Sequence, residues 1–303
     1  MRGVRIDLHT HSSVSDGTDA PADLVRAAAR AGLDVVALTD HDTTAGWLRA
    51  REALPPGLTL VPGAELSCES VDARGRRMSV HLLAYLFDPT SPALVTEQER
   101  LRIERRARVR TIAARMAENG LPVDPDDVLE GLPPDTAVGR PHLARALVRA
   151  RAVGSVQEAF DRYLATGREY YVAKADTPVE TAVDLIAEAG GVTVLAHAFA
   201  TKRGPTVTPE TIAALAERGL SGLEVDHPDH DPAARARLAS LADELGLVRT
   251  GASDYHGTNK PTGIGCETTD PERFEALLDR AAAAGGGGFA VAPVGGAWDG
   301  YRP

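Results

Sequence analysis

Nine histidines are spread over 303 residues, and most of them sit at the ends of apolar runs. His9 and His11 close "VRIDLHTH", His41 lies in "ALTDHD", and His81 falls inside "SVHLLAYLF". His197 follows "VTVLA", His227 follows "GLEV", and His256 follows "LVRTGA". Carboxylates keep them company: Asp16 in "SVSDG", Glu65 in "GAELS" and Asp254 in "SDYH". Imidazole and carboxylate donors without thiolate suit Mn²⁺, Fe²⁺ or Zn²⁺, and spacing does not choose among these. His9 and His11 are two apart, so a strand points both to one side, and Asp254 and His256 repeat the arrangement. One such pair is weak evidence for a metal. Five strand ends that each carry His, Asp or Glu need the ordinary explanation to hold separately at each, and the pattern therefore points to a metal centre.

Hydrolysis is chemistry that such a centre could do. Several divalent ions set against the carboxylates Asp16, Glu65 and Asp254 would leave a positive excess able to draw a phosphate dianion. Water on such ions loses a proton near pH ~7 and becomes an attacking hydroxide, while the ions neutralise phosphoryl charge. Phosphate monoesters are among the slowest uncatalysed hydrolyses, with accelerations up to ~10²¹-fold, so a clamp of several ions is apt.

For residues so far apart in sequence to meet, the chain must gather strand ends. Seven apolar runs read as strands: "VRIDLHTH", "LDVVALTDHD", "LTLVPGAELS", "MSVHLLAYLF", "GVTVLAHA", "SGLEVDH" and "LVRTGASDYH". Helical patterns lie between most of them, as β/α units around a parallel sheet require. This α/β chain is expected to form a distorted (β/α)7 barrel, in which the strands' carboxyl ends converge on one face. From Glu97 to Arg168 the rhythm lapses into a long charged helix and shorter helical pieces. The expected organisation is barrel over 1–94, helical insertion domain over 95–168, barrel again over 169–284, and a glycine-rich tail over 285–303.

Taken in order, "DLHTHSSVSDG", "ALTDHD", "GAELS", "LAH" and "SDYHG" resemble the polymerase and histidinol phosphatase (PHP) superfamily of metal-dependent phosphoesterases. The resemblance covers roughly residues 4–92 and 170–280. Asp16, the insertion and "GRPHLARAL" are similar to the branch acting on nucleoside 3′,5′-bisphosphates and on 5′-phosphorylated ends of short RNA. The resemblance implies a TIM-like PHP barrel and a trinuclear site holding two to three divalent ions, Mn²⁺ foremost. His9, His11, Glu65 and Asp254 would hold one ion, and Glu65 would bridge to a second on His81 and His197. Asp16, His41 and His256 would hold the third. The chain departs from the family at Ala198, where proline often follows the histidine.

Asp254, His256 and His227 are the catalytic candidates, His227 as a phosphate contact or a proton donor to the leaving oxygen. Candidate substrate-binding residues are Arg140, His142, His227, His230 and Lys174; arginine matches phosphate through its planar fork. Lys202 and Arg203 are further basic candidates, expected to be solvated, as is Lys174. Asp40 and Asp42 flank His41 and could orient ligands. Six arginines between Arg100 and Arg110 read as a solvated helix face.

A net charge of −10 argues against a protein that coats long nucleic acid. Cys68 and Cys266 make neither a disulfide framework nor a zinc ribbon. With no signal peptide and no apolar run of ~20 residues, a cytoplasmic protein with no membrane partner is expected. The expected reaction converts a 3′,5′-bisphosphonucleotide to a nucleoside 5′-monophosphate and phosphate. Alternatives are a phosphodiesterase or 5′-to-3′ exoribonuclease on short RNA or cyclic phosphodiesters, an amidohydrolase-like C–N hydrolase, and a non-catalytic metal-binding module.

Overall fold

The structure is a computed structural model and describes residues 3–285. Strand β1 (Ile6–Asp7) leads to α1 (Pro21–Arg30), β2 (Val35–Leu38), α2 (Trp47–Glu52), β3 (Thr59–Val71) and β4 (Arg77–Tyr85). Helices α3 (Pro92–Glu118), α4 (Pro125–Leu129), α5 (Arg140–Arg149) and α6 (Val156–Ala159) follow, α6 running into a π-helical turn at Phe160–Leu164. The barrel resumes with β5 (Thr177–Pro178), α7 (Val179–Glu188), β6 (Val192–Leu195), α8 (Pro209–Glu217), β7 (Gly222–Asp226), α9 (Pro232–Glu244), β8 (Val248–Gly251) and α10 (Pro271–Ala283). Proline in the first turn starts several helices after a capping side chain. Asp231 accepts from the Ala234 N–H before α9, and Asp270 from the Glu272 N–H before α10.

The sheet runs β1-β2-β3-β4-β6-β7-β8, with β5 beside β3. A parallel bridge between Thr10 and Tyr255, with the His11 N–H donating to the Tyr255 carbonyl at 2.8 Å, brings its edges together into a nearly closed barrel. The expected barrel-like α/β fold is therefore present, with one correction. Strand β4 is antiparallel to both β3 and β6. Residues 72–76 join β3 to β4 in a tight turn, and a parallel crossover needs a dozen residues or more. Strand β1 is also much shorter than the run that suggested it, and α2 and β5 had no clear sequence signal.

Side chains alternate between two cores, as the strand period demands. Val35 and Ala37 of β2 pack with Leu83 and Tyr85 of β4 and with Val194 inside the barrel. Val36 and Leu38 face the opposite way, with Leu60, Leu82 and the helices Leu24 and Ile186 represent. Phe274, Leu277 and Ala281 of α10 join the inner core. Arg280 donates to the carbonyls of Ser221 and Gly246, which precede β7 and β8, so α10 closes the barrel's amino end.

The helical stretch has a hydrophobic core of its own, built from Val109, Ile112, Met116, Leu143, Leu147 and Leu164 among others. Helix α3 starts at Pro92, ahead of the expected Glu97, because proline at its first turn needs no hydrogen-bond acceptor. Among the described residues no helix is long and apolar enough to cross a membrane. The glycine-rich tail, apart from Gly285, lies outside the described residues.

Candidate metal centre

The loops after the strands bring His9, His11, Asp16, His41, His197, Asp254 and His256 together around Glu65, which lies within β3 and not at its expected end, in one largely buried cluster. His81 joins from β4 with its side chain 24% exposed. The backbone bends hard to achieve this. Asp42, His197 and Asp254 all adopt positive φ (50°, 31° and 51°), an unusual state for residues with a Cβ. Each sits in the loop that follows a strand: β2, β6 and β8 in turn. Gly17 is needed for a different reason: a Cβ there would lie 2.2 Å from the His11 carbonyl oxygen.

Glu65 is the hub. Its Oε2 lies 3.2 Å from His9 Nε2, 3.1 Å from His11 Nε2 and 3.2 Å from His41 Nδ1. Its Oε1 lies 2.7 Å from His81 Nδ1 and 3.1 Å from His197 Nε2. Asp254 Oδ1 stands 3.5 Å from both His9 Nε2 and His11 Nε2. Asp16 stands 3.2 Å from His256 Nε2 and 3.7 Å from His41 Nε2. Three groups have donor atoms close enough to share an ion: His9, His11 and Asp254; His41, Glu65 and His81; and His11, Asp16, His41 and His256.

Hydrogen-bond logic shows that this set fits cations. His9 Nδ1 faces Glu224 Oε1 at 2.9 Å, so its proton belongs there and Nε2 offers a lone pair. That lone pair meets His11 Nε2 at 3.0 Å and two carboxylate oxygens. His256 Nδ1 likewise faces the Asp254 carbonyl at 2.8 Å, freeing Nε2 toward Asp16. Asp16 Oδ1 and His41 Nδ1 are buried without a hydrogen bond, although each has an oppositely disposed group at 3.2 Å. The distances suit attraction while the angles do not suit hydrogen bonds, as expected of donors aimed at a shared ion.

Electrostatics agree. Burial opposes the Glu65 charge, yet His81, His41 and His9 hold its carboxyl well below the usual range. Asp16 is held down against burial by His256 and His41, and Asp254 by Lys260, His9 and Arg203. Burial, with His256 beside it, lowers His11; burial also carries His41 and, together with Arg203, His197 well below the ordinary value. These imidazoles are neutral, the form that binds metal. His9 is the exception: burial lowers it, but Glu65, Asp254 and Glu224 outweigh burial and raise it well above 6.5. That point of the cluster calls for positive charge, from a proton or from an ion.

Other expected residues land differently. Arg140 is partly buried in the insertion, donates to the Leu164 carbonyl at 3.0 Å, and lies over the rings of Phe160 and Tyr171. Arg108 covers Tyr171 as well. Neither arginine pairs with a carboxylate among the described residues. His142 accepts the Gly139 N–H on Nδ1 at 3.2 Å, and burial, with Arg145 nearby, pushes it down to about 3. Lys174 is not solvated: it pairs with Asp176, and burial and Arg105 bring it to about 8. His227 Nδ1 accepts the Asp229 N–H, so Nε2 carries the proton and gives it to Asp254 Oδ2 at 3.2 Å. As placed, it orients Asp254 instead of facing open space. His230 is spent on the main chain, with Nδ1 at the Val225 carbonyl and Nε2 accepting from the Phe199 N–H.

Two further groups expected to be solvated are engaged by carboxylates, although 32% of the Arg203 side chain stays exposed. Arg203, on a 3₁₀ turn at Thr201–Arg203, donates to Asp254 at 2.6 Å and to Asp229 at 2.7 Å; Lys202 is exposed. In the arginine run, Arg105 is buried, with Nε donating to Asp42 at 2.6 Å, and Arg102 donates to the Asp42 carbonyl at 2.9 Å. Helix α3 turns this edge toward the barrel. Glu224, Asp7, Asp229 and Lys260 were missed. Glu224 had a signal in "GLEV", a carboxylate inside an apolar strand, which is seldom left without a partner.

Comparison with known proteins follows the same line. The PHP domain family model matches residues 7–118. The 3′,5′-nucleoside bisphosphate phosphatase of Chromobacterium violaceum is 34% identical over 83% of this chain and 87% of that one. The 5′-3′ exoribonuclease Rnm of Escherichia coli is 32% identical over 82% of this chain and 84% of its own. For the phosphoribosyl 1,2-cyclic phosphate 1,2-diphosphodiesterase of Eggerthella lenta the values are 35%, 83% and 94%. A crystal structure from Bifidobacterium adolescentis, assigned as a metal-dependent phosphoesterase, superposes with a TM-score of 0.84 at 36% identity, over 92% of this chain and 97% of that one. A C. violaceum structure described as an amidohydrolase with bound sulfate and no metal gives 0.79 at 30% identity, over 91% and 97%. A buried imidazole–carboxylate cluster in a barrel and relatives aligned along most of its length lead to one conclusion: the chain belongs to the PHP domain family and is a metal-dependent hydrolase of phosphoric esters.

Proposed function

We propose that this protein removes the 3′-phosphate of a nucleoside 3′,5′-bisphosphate, releasing nucleoside 5′-monophosphate and phosphate. The reading rests on two separate places for an anion. One is the cluster around Glu65, which would turn positive once it holds divalent ions. The other is Arg108 and Arg140, both partly buried over Tyr171, with burial and mutual repulsion bringing Arg108 to about 10. Two like charges kept together without a carboxylate suit an anion. The insertion that carries them rests on the barrel: Arg145 donates to the Asp16 carbonyl at 3.1 Å, and the Ala137 N–H to the Val14 carbonyl at 2.9 Å. A substrate that carries two phosphates would engage both places.

Under this reading His9, His11, Asp16, His41, Glu65, His81, His197, Asp254 and His256 hold two to three divalent ions, Mn²⁺ foremost. Those ions supply water activation and neutralisation of phosphoryl charge. Glu224 keeps the His9 proton on Nδ1, His227 and Arg203 orient Asp254, and Arg140 with His142 grips the distal phosphate. Residues 95–168 act as the domain that encloses the substrate. A cytoplasmic location accompanies a nucleotide substrate.

The relative from E. coli favours a second reading, stepwise cleavage of short 5′-phosphorylated RNA. A panel of phosphorylated nucleotides and oligoribonucleotides with Mn²⁺ separates the two, with Asp254→Ala as control. The expected result is release of inorganic phosphate from the bisphosphate and none with Asp254→Ala. Preferential release of mononucleotides from RNA would replace the first reading with the second, and an active Asp254→Ala would remove both.

A further inference from the structure

One arrangement recurs three times around the cluster. Asp7 Oδ1 accepts the Ser253 N–H at 3.1 Å while Oδ2 accepts the Ser253 hydroxyl at 2.5 Å. Asp40 does the same to Ser12, at 2.7 and 2.6 Å. Asp42 does the same to Ser67, at 2.7 and 2.7 Å. All six residues are at most 1% exposed. A carboxylate that takes both the amide and the hydroxyl of one serine fixes that residue in position and in rotation.

The placement of these pairs is not scattered. Each ties neighbouring segments: β1 to the loop after β8, the loop after β2 to the loop after β1, and the loop after β2 to β3. Each serine lies within two residues of a cluster member, Ser253 before Asp254, Ser12 after His11 and Ser67 beyond Glu65. The aspartates are equally close: Asp7 precedes His9 by two, and Asp40 and Asp42 flank His41. Further donors complete them, with Gly265 N–H on Asp7 at 2.8 Å, Ser15 hydroxyl on Asp40 at 2.6 Å and Arg105 on Asp42 at 2.6 Å. None of the three aspartates belongs, among the described residues, to the groups whose donor atoms lie close enough to share an ion.

We infer that Asp7–Ser253, Asp40–Ser12 and Asp42–Ser67 are positioning latches that set the direction of Asp254, His11 and Glu65 before any ion binds, and so tune metal affinity one site at a time. The inference rests on the metal-centre reading and extends it to residues that contact neither metal nor substrate. Supporting groups of this kind change metal affinity by about 10–100-fold. In a cluster of crowded carboxylates the alternative to a latch is a side chain that swings away from its like-charged neighbours until an ion arrives.

The test uses full-length protein loaded with Mn²⁺ and equilibrated against chelator-buffered free Mn²⁺, with retained metal read by elemental analysis. Ser12→Ala, Ser67→Ala and Ser253→Ala are compared with Ser12→Thr, Ser67→Thr and Ser253→Thr, which keep the hydroxyl. Each alanine variant is expected to need about 10–100-fold more free Mn²⁺ to half-fill one site, with its threonine counterpart near the parent. Alanine variants that retain Mn²⁺ like the parent overturn the inference. So do alanine and threonine variants impaired alike, which reports packing instead of the hydroxyl, and so does a variant that does not fold, since a latch acts locally. A parent that holds no Mn²⁺ sinks the metal-centre reading itself; a loaded parent with unaltered variants sinks the latches alone.

Discussion

Glu224→Gln tests the cluster at its best-defined point. The two carboxylate oxygens have separate duties: Oε1 accepts the His9 Nδ1 proton at 2.9 Å, and Oε2 accepts the His197 N–H at 2.7 Å. Glutamine has the same shape and only one accepting oxygen. If that oxygen faces His197, the new NH₂ faces His9 Nδ1 and drives the imidazole proton to Nε2. There it points at His11 Nε2, 3.0 Å away, and fills the place of an ion. If the oxygen faces His9, the NH₂ meets the His197 N–H, donor against donor, in a site with 0% exposure at Glu224. The first arrangement puts a proton where an ion would bind, and the second leaves a buried donor unsatisfied at a cost of about 1–3 kcal/mol, or roughly 5- to 150-fold in an equilibrium constant. Mn²⁺ titration of Glu224→Gln is expected to show weakening in that range, with Asp226→Asn, half exposed on the same strand, as a control that changes nothing. A glutamine variant that binds Mn²⁺ as the parent does would refute the tautomer argument.

Three other outcomes are expected. Arg105→Ala leaves Asp42 buried beside an empty space, and breaking a buried ion pair of this kind costs about 3–5 kcal/mol; urea unfolding should register it, and a loss under about 1 kcal/mol would mean the pair is worth no more than a surface one. Lys174, at about 8 when folded against 10.5 ordinarily, has lost its proton between those values while the unfolded chain still holds one, so stability rises with pH across that window. The shift corresponds to about 3 kcal/mol, and unfolding curves for the parent and Lys174→Met that stay parallel from pH 8 to 10.5 would contradict it. Arg140→Ala should raise KM for a 3′,5′-bisphosphate far more than it lowers kcat, because the distal phosphate is bound alike in ground and transition states; an equal fall in kcat and kcat/KM would place Arg140 at the reacting centre.

Most of the cluster was legible because its members lie just beyond strands, where apolar runs stop at His, Asp or Glu, while Glu65 and His81 lie within β3 and β4. Its partners were harder to see. Asp7 and Glu224 sit in the interior of such runs, where one polar residue is easily passed over, and their roles arise only from contacts across the barrel. The arginine run misled for a related reason. Charge alone says that a helix face is solvated, and only the docking of α3 on the barrel shows that Arg105 turns inward to Asp42. The β3–β4 hairpin was written in the sequence as a short interval around "DARG", too brief for a crossover, but the surrounding β/α rhythm concealed it. His230 looked available because a histidine at a strand's end can serve either backbone or substrate, and nothing in its local sequence distinguishes the two.

That hairpin has a consequence for the metal centre. His81 reaches Glu65 from a strand whose side chains point alternately to either face, with Val80 and Leu82 on the other. The register that decides which face His81 takes is held by the buried side chains of β4 and by its pairing with both β3 and β6. A slip of one residue in that register would swing the imidazole out of the centre and put a valine or leucine in its place.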